Sequence, residues 1–288
     1  MNQGPAEQAA VLNGVSLHWF EWGAPGPEPS IILIHATGFH ARCWDQVVKA
    51  LPDRHVLALD MRGHGRSGKT PPFSWDSFGN DLLAWLAYLG LEGTIAVGHS
   101  MGGYALADAA ASGGPFFERL LLIDPVILPP ELYAARATGP QDPSEHPTSK
   151  RKNHWEDWRA MEARFAARLP FKRWEPAVLA DYCRYGVLPD GQGAFVLACP
   201  PEVEASIYLG SAGRDLYSRL PRVTQPVTVL RAPPRVGPRD VMDFSASPTW
   251  PELAGAFPQG RDVVLAEHSH FIPMEAPELT ARYILGEL

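Results

Sequence analysis

The segment Thr94-Ile-Ala-Val-Gly-His-Ser-Met-Gly-Gly103 carries the pattern G-x-S-x-G with Ser100 at its centre. The apolar run from Thr94 to Gly98 favours a buried strand. The alanine-rich stretch from Met101 to Ser112 favours a helix. In such a strand-turn-helix, glycines two residues before and after the serine let the strand and the helix approach closely, so that the hydroxyl stands exposed on a tight turn. The pattern therefore predicts Ser100 as a nucleophile.

Apolar runs and helical patterns alternate along both ends of the chain, which predicts an α/β protein. The predicted strands are Val15–Trp22, at an edge of the sheet, then Ser30–His35, His55–Asp60, Thr94–Gly98, Arg119–Asp124, Val227–Ala232 and Asp262–Leu265. The predicted helices are Trp44–Leu51, Trp75–Leu89, Met101–Ser112 and Pro277–Leu288. We expect a mostly parallel central sheet flanked by helices.

The alternation stops between Pro125 and Pro226, where the sequence is rich in proline. One amphipathic helix is predicted there, from apolar residues at spacings of three and four: Trp155, Trp158, Met161, Phe165 and Leu169. We interpret residues 126–225 as a helical lid inserted between two parts of one core, residues 1–125 and 226–288. The lid should cover the carboxyl edge of the sheet, where ligands bind in such folds.

Composition narrows the functional classes. The chain has 288 residues, 45% of them hydrophobic, with 25 Lys and Arg against 32 Asp and Glu and a net charge of −7. An apolar fraction of this size supports a folded core. An acidic balance argues against a nucleic-acid partner, because phosphate binding needs an excess of cations.

Cofactor and membrane signals are weak as well. The three cysteines, Cys43, Cys183 and Cys199, are widely spaced and form no C-x-x-C pair, so neither a metal nor an organic cofactor is implied. No run approaches the about 18 apolar residues that a membrane span needs. The first residues lack the basic and apolar pattern of a secretory signal, so we expect a cytoplasmic protein.

A serine hydroxyl needs a base and an oxyanion site before it can act on a carbonyl. His270, in His268-Ser-His-Phe-Ile-Pro273, follows the last predicted strand and is our candidate base. His268 is a less favoured alternative. Two backbone N–H groups must face the developing oxyanion. We expect one from Met101, directly after the serine, and the other from Thr37, in the turn after the strand Ser30–His35.

These motifs carry a resemblance to the α/β-hydrolase superfamily. His35-Ala-Thr-Gly38 resembles its H-G-x-x oxyanion turn, with Ala36 in place of the usual glycine. Asp60-Met-Arg-Gly-His-Gly-Arg-Ser67 resembles its D-x-R-G-x-G-x-S loop. The resemblance implies the α/β-hydrolase fold and a serine esterase that works through a Ser-His-acid triad and an acyl-enzyme. A serine at position 100 excludes the dehalogenases and epoxide hydrolases of the superfamily, which use an aspartate nucleophile.

The acid of the triad is left open by the sequence. In the family it lies just past the strand that corresponds to Val227–Ala232, but here the turn reads Arg231-Ala-Pro-Pro-Arg235. Asp124, at the end of a strand, and Asp243 are two candidates of equal standing, and Asp240 is a third, less favoured one.

Aromatic residues in the predicted lid indicate a substrate with an apolar or aromatic group, most simply a small-molecule ester. Phe39, beside the oxyanion turn, is the candidate pocket residue. A lactonase, a thioesterase, a carbon–carbon bond hydrolase or a cofactor-free haloperoxidase could use the same triad, and some members of the fold only bind ligands. The sequence leaves the oligomeric state open and is compatible with a homodimer.

Overall fold

The computed structural model describes residues 4–135, 142–211, 216–235 and 243–288. Within these ranges the strands are β1 Ala6–Leu12, β2 Val15–Trp22, β3 Ile31–Ile34, β4 Val56–Asp60, β5 Thr94–His99, β6 Phe117–Ile123, β7 His154–Trp155, β8 Val187–Pro189, β9 Phe195–Leu197, β10 Val227–Arg231 and β11 Gly260–Val264. The α-helices are α1 Asp45–Lys49, α2 Trp75–Leu89, α3 Met101–Ala111, α4 Pro130–Ala135, α5 Trp158–Phe165, α6 Pro176–Tyr185, α7 Pro201–Leu209, α8 Ile272–Glu275 and α9 Pro277–Leu285.

The central sheet has the strand order β1-β2-β4-β3-β5-β6-β10-β11. From β4 to β11 the neighbouring strands are parallel, whereas β1 and β2 add antiparallel strands at one end. All four side chains of β3 are buried, as expected for a continuous apolar run covered on both faces. The predicted fold class, a mostly parallel sheet flanked by helices, is confirmed.

The edge of the sheet differs from the prediction. Val15–Trp22 is a strand but does not lie at the edge, because β1 pairs with its residues from Val15 to Glu21. Asn13 and Gly14 have φ angles of 48° and 74°, which suit a two-residue hairpin turn between β1 and β2. Most of β1 is exposed, so no apolar pattern marked it in the sequence.

Helices cover both faces of the sheet. On one face α2 and α3 pack into an apolar cluster that contains the fully buried Trp85. On the other face α1 and α9 pack into a second cluster around the fully buried Trp44. None of the helices within the described ranges is both long and apolar enough to cross a membrane.

The segment between β6 and β10 contains α4 to α7 and a small antiparallel sheet of β7, β9 and β8. It is thus less purely helical than predicted. The predicted amphipathic helix is shorter, since Trp155 lies in β7 and α5 begins at Trp158. An apolar cluster joins this segment to Phe39 and Phe271 of the core, so it packs over the turns that carry the candidate site residues.

The turn at Ser100 depends on close backbone contacts, and a substitution at Gly98 tests whether they are needed. A Cβ atom at Gly98 would lie 2.4 Å from the Gly102 carbonyl oxygen, so Gly98→Ala forces the strand and helix apart. We expect the free energy of unfolding in urea to fall by about 1–3 kcal/mol. Gly255→Ala is the matched control, since a Cβ there meets no atom within 4 Å. Equal stability of the two variants would contradict this account of the turn.

Candidate active site

Ser100 occupies a strained turn between β5 and α3. Its φ and ψ are 59° and −117°, in a region that non-glycine residues rarely adopt. Its N–H donates to the Ile123 carbonyl at 3.0 Å, and its carbonyl accepts from the Val126 N–H at 3.2 Å. A Cβ at Gly102 would lie 2.4 Å from the Ile34 carbonyl oxygen, so α3 starts directly against β3. Backbone contacts from two neighbouring strands therefore hold the serine in place.

The structure brings His270 between Ser100 and Asp124. The His270 Nε2 lies 3.0 Å from the Ser100 Oγ, and its Nδ1 lies 2.7 Å from the Asp124 Oδ2. The side chain of Asp124 is fully buried, and that of His270 nearly so. With Nδ1–H donating to the carboxylate, Nε2 is left as an acceptor, so the arrangement can take a proton from the serine.

The carboxylate of Asp124 has support on its other oxygen. The Ser247 hydroxyl donates to Oδ1, and the Ala232 N–H approaches the same atom at 3.3 Å. Ala232 belongs to the turn after β10, where the family places its acid. Sequence reasoning missed Ser247, because nothing in the local pattern links it to a strand that ends at residue 123. These contacts leave Oδ2 for His270.

Asp243 lies on the wall of the same cavity, but its carboxylate has partners other than His270. Its carboxylate pairs with Arg235 and accepts from the Ser245 N–H at 2.9 Å. Hydrogen bonds from Ser245 and from Arg235 lower the pKa of Asp243 to about 2. Of the two open candidates, the structure thus brings Asp124 and not Asp243 to His270. Asp240 lies outside the described residues.

The predicted oxyanion turn is held by His35. The buried ring accepts from the Met61 N–H at Nε2, at 3.0 Å, which places its proton on Nδ1. Nδ1–H then donates to the Ala36 carbonyl at 2.8 Å. Burial lowers the pKa of His35 well below 6.5, so the ring stays neutral. A neutral imidazole thus ties the turn after β3 to the end of β4.

The backbone N–H groups of Thr37 and Met101, the two predicted oxyanion donors, have no backbone acceptor within the described ranges. Met101 is the first residue of α3, so its N–H has no acceptor within the helix. Across the described ranges the Thr37 N–H likewise donates to no backbone carbonyl. Thr37 and Ser100 line one cavity.

His99 is a residue that sequence reasoning did not single out. Its Nε2–H donates to the His270 carbonyl at 2.8 Å, and the two rings lie 5.0 Å apart. Burial lowers the pKa of His99 well below 6.5, so it is a neutral contact. His99 positions the loop that carries His270. His99 is the variable residue before the serine in the G-x-S-x-G pattern, so no local pattern indicated that it contacts the His270 loop.

The cavity beside Ser100 and His270 has a volume of about 440 Å³. One wall is apolar and contains the predicted pocket residue Phe39. It also includes Phe165, Leu169, Phe171, Trp174 and Phe271. Other lining residues are polar, and we use the name polar wall for His146, Arg151, Glu204 and Tyr208. Among the aromatic residues expected in the lid, Trp155 is not part of the cavity and packs against Phe165 instead.

Comparison with known proteins shows the family. The sequence profile of the alpha/beta hydrolase family matches residues 31–283. Lipase LipV of Mycobacterium tuberculosis is 27% identical over 283 residues, which cover 95% of this chain and 98% of the lipase. N-formylmaleamate deformylase of Pseudomonas putida is 35% identical over 121 residues, 41% of this chain and 44% of that enzyme. The chain belongs to the alpha/beta hydrolase family, and the resemblance drawn from its motifs is confirmed.

Solved structures agree on the fold. The crystal structure of E-2-(acetamidomethylene)succinate hydrolase matches with a TM-score of 0.77 and 22% identity, over 98% of each chain. The thioesterase domain of the curacin biosynthetic pathway matches with a TM-score of 0.75 and 18% identity, over 99% of this chain and all of that domain. Hydrolase activity is supported by the family and by its lipase- and esterase-named members.

Four buried histidines around the site stay neutral in the folded protein: His35, His40, His64 and His99. Burial lowers the pKa of His40 to about 4 and that of His64 to about 3, from 6.5. Below about pH 6.5 these histidines are therefore protonated in the unfolded chain but not in the folded protein. Their contribution to stability is complete above that pH and is lost as the pH falls toward the folded pKa values.

The His64→Gln variant removes one of these titrating imidazoles, and with it one proton that the unfolded chain binds and the folded protein does not. We expect the slope of unfolding free energy against pH to become shallower by about 1.4 kcal/mol per pH unit near pH 5. Urea unfolding at several pH values between 6 and 4.5 measures this slope. The exposed His154→Gln variant is the control for the substitution itself. An unchanged slope in His64→Gln would show that His64 is protonated in the folded protein.

Proposed function

We propose that the protein is a serine hydrolase that cleaves a carboxylic ester through an acyl-enzyme. The observation that carries the proposal is the continuous hydrogen-bonded line from Asp124 through His270 to Ser100 at the wall of a cavity. An isolated serine hydroxyl is a weak nucleophile, and a neutral imidazole at 3.0 Å supplies the base that it lacks.

The proposed reaction assigns a role to each residue of the site. His270 takes the Ser100 proton as the Oγ attacks the ester carbonyl, and the negative charge on the carbonyl oxygen meets the N–H groups of Thr37 and Met101. His270 then returns the proton to the departing alcohol, which leaves an acyl-serine. A water molecule, deprotonated by His270, then attacks the acyl carbon. The bond from that carbon to the Ser100 Oγ breaks, the Oγ takes the proton back from His270, and the acid is released. Asp124 keeps Nδ1 protonated and stabilises the imidazolium in both steps.

The cavity supports a substrate with an apolar or aromatic group. Its rings from two parts of the chain, Phe39 and Phe271 of the core and Trp174 of the β6–β10 segment, exclude water from the reacting carbonyl. We further propose that residues 126–225 act as a lid, since described residues of this segment form the polar wall and join Phe39 and Phe271 of the core in the apolar wall. The lid then decides which esters enter.

A fluorophosphonate probe tests the nucleophile. We expect the probe to label wild-type protein on Ser100, detected by mass spectrometry, because the oxyanion donors and His270 stabilise the phosphonyl adduct as they do the acyl transition state. Ser100→Ala should lose both labelling and hydrolysis of p-nitrophenyl esters. The exposed Ser144→Ala variant should keep both. Labelling that persists in Ser100→Ala would refute the assignment.

A substrate panel then tests the bond that is cleaved. Matched aryl ester, thioester and lactone substrates should give the highest kcat/KM for the ester. A higher value for the thioester or the lactone would keep the triad and change the reaction class.

The acid is tested by two matched variants. Asp124→Asn should lower kcat by about 10⁴, because an amide at this position favours the wrong His270 tautomer. Asp243→Asn should stay within about tenfold of wild type, since its carboxylate pairs with Arg235 and Ser245 rather than with His270. Steady-state hydrolysis of one ester, with stability measured in parallel, compares them. The reverse ranking would assign the acid to Asp243.

A further inference from the structure

The polar wall of the cavity is built on a buried ion pair that the proposed triad does not use. Arg151, from the β6–β10 segment, pairs through Nη1 with the carboxylate of Glu204 on α7. Arg151 also donates through Nη2 to the Tyr182 hydroxyl at 3.1 Å. The side chain of Glu204 is 4% exposed. Burying two charges costs several kcal/mol each unless they are paired, so the pair needs a structural or functional reason.

Glu204 also contacts the oxyanion turn. A Cβ at Gly38 would lie 2.6 Å from the Glu204 Oε1, so the carboxylate rests directly on the residue after Thr37. Gly38 has a φ of 79°, which only glycine adopts without strain. The ion pair therefore lies beside the position where the substrate carbonyl would bind, within the same cavity as Ser100.

The charges on the described cavity wall cancel. Its two arginines, Arg151 and Arg235, are each paired with a carboxylate of the same wall, Glu204 and Asp243. Burial lowers the pKa of His146, also on this wall, below 6.5, so it adds no positive charge near neutral pH. A substrate carboxylate would meet Glu204 as well as Arg151, and gains little from a pair that is already neutral.

The pair still has hydrogen-bonding capacity. Arg151 carries five N–H donors, and two of them serve Glu204 and Tyr182. The Glu204 carboxylate has two oxygens and room for several donors. An uncharged group that both accepts and donates, such as a carboxamide, satisfies both members of the pair at once. A purely apolar group there leaves the remaining N–H donors of Arg151 and the free lone pairs of Glu204 unsatisfied, which costs free energy in a buried site.

We propose, on the basis of the proposed ester hydrolase function, that Arg151 and Glu204 form a subsite for an uncharged hydrogen-bonding group of the substrate. The group accepts from Arg151 and donates to Glu204, while the apolar wall holds the remainder of the molecule. The preferred substrates are thus amphipathic esters that carry a carboxamide or a similar neutral polar group, and plain alkyl esters and esters with a free carboxylate are poorer.

Three isosteric nitrophenyl esters test the subsite in the wild-type protein. Their acyl chains have equal length and end in an isopropyl, a carboxamide or a carboxylate group, and a second set carries the same groups on the alcohol. In at least one set, kcat/KM for the carboxamide should exceed the other two by roughly tenfold, the value of one hydrogen bond to a charged group. No preference for the carboxamide in either set overturns the proposal.

Two charge variants give shifts of opposite sign. Glu204→Gln leaves Arg151 unpaired, so the carboxylate ester should gain roughly tenfold relative to the carboxamide. Arg151→Gln leaves Glu204 unpaired, so the carboxamide preference should disappear and the carboxylate ester should become poorer still. Lys150→Gln and Glu202→Gln, exposed neighbours that do not line the cavity, are the matched controls for the change of charge and should keep the wild-type ratios.

Ratios between esters separate recognition from support of the Gly38 turn. Equal losses for all three esters in both variants mean that the pair only braces the turn, which overturns the proposal. Fluorophosphonate labelling of wild-type Ser100 distinguishes a failure of the subsite proposal from a failure of the proposed hydrolase reaction. Absent labelling contradicts the hydrolase itself, whereas a labelled and active protein with no carboxamide preference contradicts the subsite alone. If a variant fails to fold, the wild-type ester comparison still decides.

Discussion

The close approach of β5, α3 and β3 around Ser100 is the constraint on which the rest of the site depends. Gly98 and Gly102 each lie where a Cβ would collide with a backbone carbonyl at 2.4 Å. Because no side chains intervene, the chain reverses within one residue, and Ser100 takes a positive φ at the start of α3. The same reversal leaves the Met101 N–H without a helical acceptor beside the hydroxyl. Strain at one residue thus presents the Ser100 hydroxyl and places beside it an N–H without a helical acceptor, the nucleophile and one oxyanion donor of the proposed reaction.

The described ionisable side chains around that turn are neutral, hydrogen-bonded or paired with a group of opposite charge. The buried histidines His35 and His99 are neutral. His35 holds the turn after β3 through hydrogen bonds to the Ala36 carbonyl and from the Met61 N–H, and His99 holds the His270 loop through a hydrogen bond to the His270 carbonyl. Asp124 is satisfied on one oxygen by Ser247 and on the other by His270. The arginines of the cavity are paired with carboxylates. The charges of the described cavity residues are therefore held in local pairs.

Much of the fold was predictable because its signals are local. Buried parallel strands read as apolar runs, and α2 begins and ends where its pattern predicts. β1 was not predictable, since an exposed edge strand pairs through its backbone and carries no apolar pattern. The choice between Asp124 and Asp243 was equally out of reach. Both follow a strand at a plausible distance, and what separates them is the pairing of Asp243 with Arg235.

The sequence by itself determined the family, the presence of a presented serine and the identity of the histidine that reaches it, because glycine spacing and strand-end motifs act over a few residues. Only the tertiary structure decided which carboxylate meets His270, how His99 and Ser247 support the hydrogen-bonded line, and that Arg151 and Glu204 form an ion pair in the wall of the cavity. These contacts join residues far apart in the chain. Their geometry follows from how loops pack over the sheet, and no local pattern encodes it.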